Sequence, residues 1–362
     1  MQKFDSKRQM KKLYAMTTVG YFQIAGASWV ALLAMRGFSM LEIGMLESIF
    51  HIVSFCFEIP SGVAADVFGR KKTLVLGQIC SLLSSVLMIL SGGFWTTALA
   101  IGCSALSYNL ASGTREALAY DSLKQDGRKK DYNRFVSQEM MLYRITNSTA
   151  ILCAGLAIYL GYRKAYLLDC LFGVGAILIG FGLHEIQPEK AEKQARERLV
   201  NVFTESWKFL KENKTAKEIM MVNALVGAVS TLVLFFLQAK LPLAGLENAL
   251  LGPALFIMGL GAALGARMVV HFSGSLYRKI LLWSTMGVVF AFAMTFTGNP
   301  YVMIVGGFLG AFSDDFLEVR TDVLLNDMIP SGQRATLVSV NSFLFSMVMI
   351  LMSTVMGWVM GT

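Results

Sequence analysis

Apolar runs of about 20 residues recur along this chain, separated by short polar turns, and that alternation leaves few folds open. As an α-helix, a run of that length spans the ~30 Å of a bilayer's hydrocarbon. Only 15% of the 362 residues are charged and 55% are hydrophobic, against about 25% charged in an ordinary soluble domain. The runs lack the period-two alternation of a membrane β-barrel. The chain is therefore predicted to be an all-α, polytopic membrane protein, which excludes a soluble enzyme.

The net charge of +8 would suit nucleic acid if it were gathered on one face, but it is not. Lys3, Lys7, Arg8, Lys11 and Lys12 crowd the N-terminal tail; others fill the 70–72 turn, the 124–134 loop and the 190–217 segment. Alternate loops carry only Arg36, Arg163, Lys164 and Lys240. This is the positive-inside asymmetry, so the N-terminus is expected in the cytoplasm of a cell-membrane protein. Anionic lipid, not nucleic acid, is the expected neighbour of the basic loops. Residues 1–13 resemble the start of a signal peptide, but the apolar run that follows is too long for one and is expected to stay as an anchor. Cys56, Cys80, Cys103, Cys153 and Cys170 sit within apolar runs at no metal-ligand spacing and are expected to be reduced packing residues. The Asn147-Ser-Thr triplet lies within a span and is discounted as a glycosylation site.

Eleven spans are predicted, at about 13–35, 41–67, 73–90, 95–120, 135–160 and 165–184, then 219–238, 250–270, 280–296, 302–326 and 335–360. Residues 185–217 form a charged linker in which Val200, Phe203, Trp207 and Leu210 recur at helical spacing. Such a stripe suits a membrane surface or a packed amphipathic helix. The expected domains are thus a six-helix bundle over 1–184, the linker, and a five-helix bundle over 218–362. Residues 133–161 and 333–361 match in outline: Asn133-Arg134 and Gln333-Arg334 open them, and Gly161 and Gly361 close them. One six-span unit used twice explains this. The second copy then lacks its sixth span, which would leave the C-terminus outside the cytoplasm.

The most informative turn is 58–74, EIPSGVAADVFGRKKTL. Gly62 and Ala65 offer a bare helix face for another backbone. Asp66, near a helix end, suits the N–H groups of a neighbouring helix start. Gly69 makes the turn, and Arg70, Lys71 and Lys72 follow. The stretch resembles the G-x-x-x-D-x-x-G-R-K loop between the second and third spans of major facilitator superfamily transporters. The phrases REALAYDSL (115–123) and NDMIPSGQRATLVS (326–339) resemble segments of bacterial drug:proton antiporters in that family. The resemblance implies two pseudo-symmetric bundles and a cytoplasmic gate in which Asp66 meets the start of span eleven near Arg334, and Arg70 pairs with Asp121. Gly62, Gly69 and Lys71 complete that gate set. A purely topogenic basic turn would need the cations but not Gly62, Asp66 or Gly69. In the second half Gly274, Arg278 and Lys279 keep the pattern without the acid.

Charges inside spans mark the remaining candidates, since each costs about 2.5–3.5 kcal/mol at the bilayer centre. Glu47, His51 and Glu58 share a face of span two and are candidates for proton coupling, Glu58 first; a Glu satisfied by a neighbouring Ser or Arg is the alternative. Span ten carries Asp314, Asp315, Glu318, Arg320 and Asp322. Close carboxylates cannot all ionise cheaply, so Asp314, Asp315 and Glu318 form a second proton-site candidate; a salt-bridge knot around Arg320 is the alternative. Tyr21, Gln23, Tyr108, Asn109, Arg115, Glu116, Tyr143, Arg144, Asn147 and Arg320 are candidates for lining a substrate cavity. Arg115 and Arg144 are expected either to pair with Glu58, Glu116 or Glu139 or to hold an anionic substrate group.

No nucleotide-binding loop or metal cluster is present in the sequence, so no cofactor is expected beyond a proton gradient. The expected protein is a monomeric, multi-pass secondary transporter exporting a small amphipathic compound or drug against protons. Proton-linked uptake, or a non-transporting sensor or scaffold, are the alternatives.

Overall fold

A computed structural model describes residues 4–186, 209, 211, 213–272, 276–328 and 334–361. Among these the secondary structure is entirely helical. The helices are α1 (Ser6–Tyr21), α2 (Trp29–Met35), α3 (Met40–Phe68), α4 (Arg70–Leu90), α5 (Phe94–Ala111), α6 (Thr114–Gln125), α7 (Tyr132–Leu152), α8 (Ala154–Leu160) and α9 (Tyr162–Phe181). After the linker come α10 (Lys214–Leu243), α11 (Leu251–Met268), α12 (Tyr277–Met294), α13 (Pro300–Met328) and α14 (Arg334–Gly361). The linker stripe of Val200, Phe203, Trp207 and Leu210 lies outside the described residues, as does Gly274.

Each of the eleven predicted spans falls on a helix or a broken pair of helices. By length and apolarity alone, six described helices qualify as membrane-spanning, or eight counting two bent pairs. Part of the difference has local causes. Span one breaks between α1 and the short turn before α2, with a 43° bend, and span five breaks between α7 and α8 with a 47° bend. Span four is split into α5 and α6 by Gly113, whose φ of 70° is left-handed, a conformation that a side chain disfavours. Span ten keeps its length in α13 but carries five ionisable groups.

The chain folds as two compact units that cut across the sequence order. The first gathers 1–27, 52–153 and 160–201; the second gathers 28–51, 154–159 and 202–362. In the first, α1 packs on α6, α7 and α9, and α4 packs on α5, α6 and α9. Met10, Leu13, Met16, Leu74, Leu118 and Phe135 make its core. Gly69, with φ 103°, turns α3 into α4, and Asp5 caps α1 by accepting from the Lys7 and Arg8 amides at 2.9 and 3.4 Å. In the second unit, α13 packs on α10, α11 and α12, and α10 also packs on α14 and α2. A side chain at Gly261 or Gly265 of α11 would run into the Phe308 or Phe312 carbonyl of α13, so glycine sets that close approach.

Candidate functional site

The first unit holds a polar cluster where α1, α6 and α7 meet. The break at Gly113 starts a new helix in mid-span and puts Arg115 in its first turn. Arg115 is 5% exposed, and its Nη1 donates to Glu139 Oε1 of α7 at 3.1 Å and to the Tyr21 hydroxyl of α1 at 3.4 Å. The guanidinium also stands over the Tyr21 ring, 5.2 Å from its centre. Thr17 of α1 donates to the same Glu139 oxygen at 3.2 Å. Tyr21 and Tyr143 meet edge to face at 4.8 Å, and Glu116 lies within electrostatic reach of Arg115. Of the two partnerships expected for Arg115, the structure places it with Glu139. Arg144, one residue beyond Tyr143, is exposed.

A second clasp ties span two to span four. Ser54 donates to Asn109 Oδ1 at 2.8 Å, and Asn109 Nδ2 returns a bond to the Ser54 carbonyl at 2.6 Å. Glu58, one turn further along α3, is half-buried and within electrostatic reach of Tyr108. α3 runs unbroken through Pro60. Gln23 of span one donates to Ser81 of α4 at 2.8 Å, and Asn147 is half-buried on α7.

At the basic turn, Arg70 donates to the Asp121 carboxylate and, at 2.7 Å, to the Ala117 carbonyl. Asp66 Oδ1 lies 3.9 Å from the same guanidinium. Glu185 of the segment after α9 accepts from the Lys71 and Lys72 amides at 3.0 and 3.2 Å. The first amides of α4 thus find an anion, as a helix start favours. Sequence reasoning missed Glu185, which stands far off in the chain beside a run of charges. Among the described residues no backbone approaches Gly62, since a side chain there would meet nothing within 4 Å, whereas Ala65, the other residue of that face, is buried. Gly62 is exposed. The side chain of Arg334, which opens α14, lies outside the described residues.

In the second unit, the close approach lies at the opposite end of α3. A side chain at Gly44 would strike the Ser353 carbonyl of α14, and one at Gly357 would strike the Met40 carbonyl. Beside them Ser48 donates to the Ile350 carbonyl at 2.7 Å and lies 2.8 Å from the Thr354 hydroxyl. One turn on, His51 Nε2 is 3.4 Å from Glu47 Oε1, and Phe345 of α14 meets the His51 ring edge-on at 6.2 Å. So the three-residue stripe on α3 divides: Glu47 and His51 pair with each other, and Glu58 belongs to the first unit.

The acids of α13 divide too. Asp314 faces α10, where a side chain at Gly227 would come within 3.3 Å of its Oδ1, and it lies beside Ser230. Asp315 and Arg320 are half-buried, whereas Glu318 and Asp322 are exposed. No group of three His, Cys, Asp or Glu fit to hold a metal occurs among the described residues.

A family model for the Major Facilitator Superfamily matches residues 13–276. An uncharacterised transporter of this type, YxaM of Bacillus subtilis (strain 168), is 22% identical over 319 residues, covering 87% of this chain and 79% of that protein. An uncharacterised transporter of Buchnera aphidicola is 22% identical over 178 residues, covering 49% of this chain and 44% of that protein. Among solved structures, the nucleoside transporter NupG has a TM-score of 0.74 at 15% identity, covering 97% of this chain and 90% of its own. A bacterial homologue of the human lysosomal transporter Spinster, inward-facing and unoccupied, has a TM-score of 0.72 at 14% identity, covering 98% and 82%. These likenesses are of fold, and with the family match over most of the sequence they lead to one conclusion: the chain is a multi-pass transporter belonging to the Major Facilitator Superfamily.

Proposed function

We propose that this secondary transporter is proton-driven and exports a small amphipathic compound by alternating access, with the 58–74 turn in its cytoplasmic gate. The observation that carries the reading is the buried Arg115–Glu139 pair among Tyr21 and Tyr143. Aromatic walls around one polar handle suit a solute that is part apolar and part charged. A proton that neutralises Glu139 leaves the Arg115 guanidinium without its carboxylate, so protonation and substrate act on the same buried pair. One proton entering across 100 mV releases about 2.3 kcal/mol, which sustains roughly a fiftyfold solute gradient. The direction rests on the likeness of 115–123 and 326–339 to drug:proton antiporters. A D-xylose–proton symporter shares the fold at 12% identity, so uptake is the outcome to be set against export.

The test is flux in proteoliposomes carrying a pH-sensitive dye, with amphipathic cations, nucleosides and sugars as trial solutes. Solute-dependent proton movement that disappears in Glu139→Gln supports the reading, and the side on which solute accumulates decides its direction. Glu58→Gln and Asp314→Asn, run alongside, locate any second proton site. A folded protein that moves protons with none of these solutes would refute it.

A further inference from the structure

Asp169 is a lone acid in an otherwise apolar run, at the middle of α9, and it is 2% exposed. No Lys, Arg or His pairs with it among the described residues. Its partners are backbone. The carboxylate accepts from the Gly26 amide at 2.9 Å through Oδ2 and from the Ala25 amide at 3.3 Å through Oδ1. Both amides belong to the break in span one, between the end of α1 at Tyr21 and the turn that leads into α2. Gly26 has no side chain to interpose: an added one would press on Gln23 at 3.0 Å and lie 3.7 Å from Asp169 Oδ2.

The break makes this arrangement possible. In a continuous helix the Ala25 and Gly26 amides would donate to carbonyls four residues back, at Tyr21 and Phe22. In the broken helix they are released, and an anion takes them. A carboxylate buried in hydrocarbon without a cation is tolerated only while such donors point at it. Straightening span one would return the amides to their own helix and strip Asp169 of its donors. The carboxylate would then have to bind a proton. The groups facing it are these amides, that of Ile24 beside them, and Gln23, which is held by Ser81 of α4. Its titratable neighbour is the Cys170 thiol on its own helix, on which it acts electrostatically.

We propose that Asp169 is a proton-coupling residue that ties its own ionisation to the bend of span one: ionised when the span is broken at 22–26, protonated when the span straightens. The inference rests on the alternating-access reading, because it supplies one way for a proton to change the shape of a span. The sign follows. Acid favours the straight form, because its carboxyl, stripped of the amide donors, holds the proton more tightly than in the bent form; alkali favours the bent form.

The experiment measures the bend in the full chain, reconstituted in nanodiscs, with no solute added. Nitroxide labels on Thr18→Cys of α1 and Met35→Cys of α2, in a chain whose five native cysteines are replaced by alanine, report the distance by pulsed EPR. Between about pH 5 and about pH 9, the range over which buried carboxylates titrate, the ratio of bent to straight populations is expected to change by about fivefold or more. Asp169→Asn keeps one acceptor oxygen where the carboxylate offers two to the Ala25 and Gly26 amides, and it cannot ionise, so whatever its ratio, that ratio should be independent of pH. An Asn variant that keeps the parental pH response would overturn the proposal. So would a flat response in the parent, which needs no variant at residue 169. Loss of flux with every solute would sink the proton-driven reading above while leaving this response in place, so the two failures can be told apart.

Discussion

The two ends of α3 meet their neighbours through opposite chemistry. Toward Phe68, contact is made by ions: Arg70 holds Asp121 and lies near Asp66, and Glu185 takes the first amides of α4. These side chains are partly wet, Arg70 at 13% exposure and Asp121 at 24%. Toward Met40, contact is made by absence: Gly44 and Gly357 let backbone touch backbone, and Ser48 closes the seam on the Ile350 carbonyl. Ionic contacts near water are softened by solvent and salt and can be remade repeatedly at modest cost. A glycine seam has no such tuning. It either closes to van der Waals contact or loses that energy. One helix thus carries an adjustable latch at one end and an all-or-none seal at the other.

The largest expected effect comes from locking the seal. In Ser48→Cys/Thr354→Cys, sulfurs replace hydroxyls now 2.8 Å apart; oxidation should abolish flux and reductant restore it. Full flux in the oxidised, cross-linked protein would show that the seam need not open. Next, Gly44→Leu or Gly357→Leu should prevent closure and destabilise the fold by about 1–3 kcal/mol, the usual range for overpacking, read as a fall in the thermal midpoint in detergent. At the latch, Arg70→Ala leaves Asp121 without its cation and should cost about 1–2 kcal/mol after solvent screening, less in high salt. An unchanged midpoint there would mean that the latch does not hold the fold. Asp66→Asn should remove only ~0.5 kcal/mol from folding yet slow transport; equal transport would detach Asp66 from the gate. Smallest of all, Gly62→Ala places a methyl in open space and should leave the midpoint unchanged or raise it by up to ~1 kcal/mol through helix propensity. Folding intact but flux lost would mean that Gly62 is approached in another state of the cycle.

Legibility followed the range of the interactions. Periodic apolar runs and charged turns are local, and the helices lie where those patterns put them. The Arg70–Asp121 contact was anticipated only because the 62–72 stretch resembles a known family. Arg115 announced itself as a charge within a span, but Glu139 was one of three possible partners, and the choice depended on how α6 and α7 pack. Asp169 carried a signal that went unused, an isolated acid within an apolar run. Gly44 and Gly357 carried none, because small residues are frequent in all these helices and only packing reveals which of them another backbone touches.

By itself the sequence determined that this chain must be a set of membrane helices, since apolar length and the scarcity of charge are properties of the residues alone. It also determined where the basic turns fall and which spans contain ionisable groups. Only the tertiary structure decided that spans one, four and five are broken, that Asp169 feeds on the amides which one break releases, and that Gly44 and Gly357 are glycines at which backbone meets backbone. Those outcomes depend on which surfaces meet across more than a hundred residues of chain, and local periodicity holds no record of that choice.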